Sequence, residues 1–181
     1  MEQEQQWIRQ IQRKGSREAA DRLIRAYYDE IYYFVYRQVG NKEDAMDLTQ
    51  NIFVAVLRSL PGYQPGQARF RTWLYAVANN KIIDARRKVQ TDRISAKPVE
   101  EQEPPANDDF VSRIQDRMLL AQIEEYVSGQ ALEQQKVFRL RIYAGQSFPE
   151  IAETLGEREA AVKARYYRLV DKIRKEFSVY E

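Results

Sequence analysis

Residues 68–88 read ARFRTWLYAVANNKIIDARRK, and the assignment of this stretch decides the fold. It contains neither Pro nor Gly, so nothing in it interrupts a helix. At about 100° per residue, Trp73, Leu74, Val77, Ala78, Ile82 and Ala85 share one half of a helical surface. Tyr75, Asn79, Asn80, Arg86 and Arg87 occupy the other half, with Ala76 and Ile83 among them. One half is suited to burial, while the other offers amides, a phenol and two guanidinium groups. That polar half is either the solvated side of an amphipathic core helix or a surface for single-stranded nucleic acid. The second use needs rings to stack on bases, amides to read base edges and cations to meet phosphates. The rest of the chain decides between the two.

The 181 residues allow one or two domains. With 29 Lys and Arg against 27 Asp and Glu, the net charge is +2, so a nucleic-acid role requires local clustering of cations. Cysteine and histidine are both absent, which excludes thiol chemistry, disulfides and imidazole catalysis and leaves only carboxylates as metal ligands. No cofactor or metal is expected. There is no apolar core in the N-terminal MEQEQQWIRQIQRKG and no run of about 18 apolar residues, so neither a signal peptide nor membrane insertion is expected. A cytoplasmic location follows. Glycine and proline are few, strand-like alternation is hard to find, and the chain reads as all-α.

Outward from the central stretch, Trp7, Ile8 and Ile11 begin a short helix that stops near Gly15. Ser16 is the expected N-cap of the next, with Ala19, Ala20, Leu23, Tyr27, Ile31 and Val35 at helical spacing. Tyr27, Tyr28, Tyr32, Tyr33 and Tyr36 on it are read as core rather than as a ligand site. Gly40 closes that helix, and Asn41 with Asp44 resembles a capping box opening a helix through Leu48, Ile52, Phe53, Val56 and Leu60. Its acids Glu43, Asp44 and Asp47 either complement the helix dipole or form a docking edge. The loop PGYQPGQA, residues 61–68, is either a plain connector or one wall of a pocket.

From Thr91 to Asp109 the composition changes. SAKPVEEQEPPANDD carries three prolines, five acids and only Val99 as a sizeable apolar group, so it reads as a flexible acidic linker and domain boundary. Beyond it, Phe110, Ile114, Met118, Ala121 and Glu125 mark one helix and Leu132 to Ala144 another. Ser147-Phe148-Pro149-Glu150 is a capping box opening a short helix to Leu155; Gly156 makes a turn, and a long helix runs from about Arg158 to Phe177. This is a helix-turn-helix pattern. The last helix carries Arg158, Lys163, Arg165, Arg168, Lys172, Arg174 and Lys175 against Glu159, Asp171 and Glu176, a basic stripe in a nearly neutral chain. Ala161, Val162, Leu169, Val170 and Ile173 are its expected inward face. Two small helical domains are therefore expected, spanning 1–90 and 113–181, with the linker at 91–112.

These features resemble, over essentially the whole chain, a bacterial RNA polymerase sigma factor of the extracytoplasmic-function (group 4) type of the sigma-70 family. Asp44-Ala45-Met46-Asp47-Leu48-Thr49-Gln50-Asn51-Ile52-Phe53 is similar to the family's D-A-x-D-L-T-Q-E-x-F segment. Phe70 to Asn80, continuing to Ile83-Asp84-Ala85-Arg86-Arg87, is similar to its −10 melting and reading helix. Leu155-Gly156 and Val162-Lys163-Ala164-Arg165 are similar to its −35-reading helix-turn-helix.

The resemblance implies a transcription initiation factor with no chemistry of its own. Core RNA polymerase would be bound through the β′ clamp helices, by Asp44, Asp47, Leu48, Gln50, Asn51 and Phe53, and through the β flap. The melted −10 strand would be read by Arg71, Trp73, Tyr75, Asn79, Asn80, Arg86 and Arg87. The −35 duplex would be read by Arg158, Glu159, Lys163, Arg165 and Arg168. Promoter DNA and an anti-sigma factor complete the implied partners. Asn51 stands where Glu is usual, Asn79 where Arg is common, Ala161 and Ala164 for Thr and Ser, and Glu157 at a usually apolar position, so the −35 preference is not that of relatives. The alternative is a helix-turn-helix regulator that works without being a polymerase subunit, which leaves the 70–87 face idle.

Overall fold

A computed structural model describes residues 2–66, 68–95 and 108–177, with side chains described except at 90–95 and 108–117. Eight α-helices and one 3₁₀ turn, with no strand, make up the described residues, so the chain is all-α. In order they are α1 (Glu2–Lys14), α2 (Arg17–Val39), α3 (Lys42–Ser59), the 3₁₀ turn Leu60–Gly62, and α4 (Phe70–Ser95). Then follow α5 (Asp108–Ser128), α6 (Leu132–Ile142), α7 (Phe148–Leu155) and α8 (Glu159–Phe177). Residues 96–107, most of the expected linker, lie outside the described residues, as do the side chains of Phe110 and Ile114. The helix expected through Lys88 continues to Ser95.

Local signals set the helix ends. The Ser16 side chain accepts from the Ala19 amide, and Gly40 closes α2 in the left-handed conformation at φ 75°, where a side chain would be strained. Asn41 accepts from the amides of Glu43 and Asp44, the accepting half of the expected box. At Ser147 both halves are present: its hydroxyl accepts from the Glu150 amide, and the Glu150 carboxylate accepts from the Ser147 amide at 2.8 Å. Gly156 closes α7 at φ 66° and makes the turn of the helix-turn-helix.

The Ser147 amide bond, then the Ser147 hydroxyl, hold the Glu150 carboxyl below its ordinary pKa. A depressed folded pKa means that this stabilisation is complete above the unfolded carboxylate pKa and fades as pH falls through the lower folded one. Ser147→Ala is expected to cost about 0.5–2 kcal/mol at neutral pH. The deficit should shrink in acid when urea unfolding is followed against pH.

The expected apolar stripes pack as cores. Leu23, Ile31 and Val35 of α2 share one buried cluster with Ile52, Phe53 and Val56 of α3, Ala19 is buried too, and Tyr28 and Phe53 stack at 6.1 Å between ring centres. The tyrosines divide: Tyr27, Tyr28 and Tyr32 are half-buried, whereas Tyr33 and Tyr36 are exposed. The loop after α3 is tied down, since Gln12 Nε2 donates to the carbonyls of Leu60 and Tyr63 at 2.9 Å each. The Tyr63 hydroxyl donates to the Ala68 carbonyl at 2.8 Å. On α8, Val162 and Leu169 are buried and Val170 and Ile173 half-buried, but Ala161, expected inward, is exposed. It sits one residue off the Val162–Leu169 line, and its single methyl gains little from burial.

The larger departure concerns α4. Its apolar half packs as expected, with Leu74, Ala78 and Ile82 buried. Tyr75, Asn79 and Ile83, on the half expected to be open, are buried as well. Tyr75 is covered by α2, its ring edge-on to Phe34 at 5.1 Å, whereas Asn79 meets a second layer. Besides α2 and α3, α4 packs against α5, α6 and α7, and Val137, Leu140, Ile151, Ala152 and Val162 join the same apolar cluster as the α2–α4 core.

Candidate nucleic-acid interface

On α3, the helix direction and period put Asp44, Asp47, Gln50 and Asn51 on the exposed side, with Leu48 half-buried at its edge. Phe53 lies in the core under Tyr28, so it supports this face without reaching the surface. The result is a mainly acidic, polar edge along one helix.

Around α4 the seven candidates separate by environment. Arg71 and Asn80 are exposed and Trp73 is half-buried against Tyr63 and Phe70. The Tyr75 hydroxyl donates to Glu30 Oε1 at 2.8 Å, and Arg71 Nε donates to the same oxygen at 2.7 Å while its guanidinium lies 5.1 Å from the Tyr75 ring centre. Burial, then the Glu30 hydrogen bond, raise the Tyr75 pKa, so the phenol remains protonated. For Arg71, burial opposes the charge, but the bond to Glu30 and its negative charge outweigh it and raise the pKa. Glu30 thus holds the ring and the cation together, a role no sequence motif marks.

Farther along α4, Asn79 is 1% exposed and donates through Nδ2 to the Lys136 carbonyl of α6 at 3.2 Å. Arg86 is half-buried; it donates to the Gln38 carbonyl at 2.7 Å and forms an ion pair with Glu124 of α5. Arg139 of α6 is 0% exposed. Its Nη1 donates to Gln38 Oε1 at 2.9 Å and lies 3.7 Å from Glu124 Oε2. Burial, with the charge of Arg86 adding to it and Glu124 opposing it, pushes the Arg139 pKa down to about 10. Burial likewise raises the Glu124 carboxyl against the pull of both arginines. Two cations therefore share one buried anion. Arg87 is exposed on the same helix.

Arg158, just before α8, and Lys163 and Arg168 on it are exposed. Lys163 pairs with Glu159 at 2.6 Å, one helical turn away, and stands 5.8 Å from the Phe148 ring centre. Arg165 is half-buried because the Glu157 carboxylate in the preceding turn accepts from its Nη1 at 2.7 and 3.0 Å. The polar residue at the usually apolar position 157 is thus a partner for the arginine one element later. Sequence reasoning also passed over Tyr167, which is exposed beside Phe148 and Tyr166 on the same helix.

The two halves correspond to recognised families. Sigma-70 region 2 matches residues 23–91 and sigma-70 region 4 matches residues 131–173. The RNA polymerase sigma factor YlaC of Bacillus subtilis is 30% identical over 168 residues, covering 84% of this chain and 88% of that protein. The ECF RNA polymerase sigma factor SigE of Mycolicibacterium smegmatis is 34% identical over 149 residues, or 82% of this chain, but the match spans only 57% of SigE. Among solved structures, CnrH in complex with the cytosolic domain of CnrY aligns over 99% of both chains with a TM-score of 0.60 at 20% identity, a likeness of fold. The chain belongs to the extracytoplasmic-function group of the sigma-70 family of RNA polymerase sigma factors.

Proposed function

We propose that the chain is a transcription initiation factor that joins core RNA polymerase and directs it to particular promoters, with no catalytic activity of its own and acting in the cytoplasm. The observation that carries this reading is the order of the two family matches, a region 2 with a polar α4 face and a region 4 ending in a basic helix-turn-helix. In this reading residues 1–90 bind polymerase and the −10 element, 113–181 bind the −35 element, and 91–112 connect them. Core polymerase is engaged by Asp44, Asp47, Leu48, Gln50 and Asn51 at the β′ clamp helices and by region 4 at the β flap.

The α8 cations hold the −35 duplex in its major groove. The α4 face then captures the −10 strand once it is single, and whatever binds the open form selectively shifts the duplex toward it. Stacking is worth roughly 1–3 kcal/mol per base, so a few contacts offset the unpairing of a few A·T-rich steps. An anti-sigma partner is part of the proposal; CnrH, of the same fold, was solved with the cytosolic domain of another protein.

Run-off transcription with purified core polymerase on randomised promoters tests this. Protein-dependent transcripts sharing −35 and −10 elements are the expected result. No transcripts, with selective binding of duplex DNA by the protein alone, would replace the proposal with a helix-turn-helix regulator. In the same assay Arg165→Ala is expected to cost about 1–3 kcal/mol of −35 discrimination, the worth of a bidentate base contact. Glu157 engages Nη1 and leaves the rest of the guanidinium edge to a base. Unchanged promoter selection would remove Arg165 from the reading set.

A further inference from the structure

Helix α1 lies ahead of the stretch matched to sigma-70 region 2, residues 23–91, yet its side chains reach the loop that leads into α4. We propose that Gln12 of α1 is a positioning residue for the −10 site. By gripping the loop backbone it seats the Tyr63 ring and, through it, the Trp73 indole that meets a base. The inference rests on the promoter reading of α4 given above.

The path runs through directional contacts. The Gln12 amide carries two N–H donors, and Nε2 donates to two backbone carbonyls, those of Leu60 and Tyr63, at 2.9 Å each. The Leu60 carbonyl also accepts from the Tyr63 amide at 3.0 Å, so Gln12 clamps a turn already closed on itself. These two bonds span 48 and 51 positions of sequence, and they therefore fix the turn relative to α1. The Tyr63 hydroxyl then crosses the loop to the Ala68 carbonyl at 2.8 Å. Its ring lies 5.1 Å from that of Trp73, tilted by 45°, and Trp73 keeps part of its surface open.

Little else holds this loop. Among the described residues of 61–69, Tyr63 alone is buried, while Pro61, Gly62, Gln64, Pro65 and Gly66 are exposed. Aromatic contacts depend on offset and tilt, so a shift of Tyr63 passes to the indole and changes how a base fits on it. At the other end of α1, Glu4 accepts from the Tyr27 hydroxyl, and the Tyr27 ring meets Phe70 edge-on at 5.4 Å. Helix α1 thus holds the aromatic cluster at two points.

Four variants separate positioning from packing. Gln12→Glu keeps the shape but sets acceptors against two carbonyls, so the clamp is lost. Gln12→Met removes the donors without adding a charge. Gln12→Lys supplies an ammonium group with donors of its own and should restore the grip. Gln10→Glu places the same charge on an exposed residue of α1 and is the control.

Run-off transcription with core polymerase on randomised promoters reads −10 and −35 selection separately. Gln12→Glu and Gln12→Met are expected to relax −10 base selection about tenfold, within the worth of one stacking contact, and to leave −35 selection unchanged. Gln12→Lys is expected to recover −10 selection, and Gln10→Glu to keep it. A side chain that only stabilised the fold would lower the yield from all promoters alike. The indole is followed in the Trp7→Phe chain, where Trp73 is the one tryptophan left. Its emission is expected to move to the red and to be quenched more by acrylamide in Gln12→Glu, and to return in Gln12→Lys.

Unchanged −10 selection in Gln12→Glu overturns the proposal, and so does emission that does not move. Selection lost equally at −10 and −35 overturns it in favour of a purely structural role. Shifted emission in a chain whose parent selects no promoters overturns the promoter reading of α4 and leaves the coupling of Gln12 to Trp73 standing.

Discussion

Phe70→Ala should lower the unfolding free energy by about 3–5 kcal/mol, the loss typical of emptying a well-packed aromatic site. Phe70 is the first residue of α4 and is 2% exposed. Its ring meets Tyr27 edge-on at 5.4 Å, Tyr63 at 5.7 Å and Trp73 at 5.8 Å. Each such pair adds roughly 0.5–1.5 kcal/mol beyond the area buried. Since a domain is stable by only about 5–15 kcal/mol, the variant loses a large share of its stability. The same ring anchors the loop of Tyr63, so the N-terminal end of α4 should loosen with it. Urea unfolding monitored by tryptophan fluorescence measures the effect. A loss under about 1 kcal/mol would mean that the aromatic cluster repacks and that α4 is seated by its later turns instead.

The second large effect concerns binding. Asp47→Ala should weaken association with core polymerase by at least about 2 kcal/mol, roughly thirtyfold, if the α3 edge is the contact. The helix itself should not change. Asp47 is exposed on α3, Asn41 already caps the first turn, and alanine is a better helix former than aspartate. Titration of labelled protein with core polymerase reads the affinity, and far-ultraviolet circular dichroism confirms unchanged helix content. Retained affinity would move the polymerase contact off α3 and onto another face.

Much of this architecture was legible in the linear chain because it depends on neighbours a few residues away. Ser16, Asn41 and Ser147 specify helix starts through side chains that reach amides two or three positions on. Gly40 and Gly156 specify ends because glycine adopts the left-handed turn without strain. The period of Leu23, Ile31, Val35, Ile52 and Val56 determines which faces of α2 and α3 meet. Motif order was enough to indicate the family, since region 2 and region 4 are each a contiguous run of residues.

What the sequence by itself determined, then, is the set of helices, their capped ends, their first apolar faces and the family. Tertiary structure alone decided that Asn79 and Arg86, on the polar half of α4, are covered while Asn80 and Arg87 stay exposed. Nothing near Asn79 announces that its amide will meet the carbonyl of Lys136, 57 residues away, and nothing in the Phe138-Arg139-Leu140 run announces a cation with no exposed surface. Periodicity reports which side of a helix is apolar, and therefore what the first partner covers. A second partner that docks on the polar side does so through charges matched across long separations, and that matching is written in no local spacing.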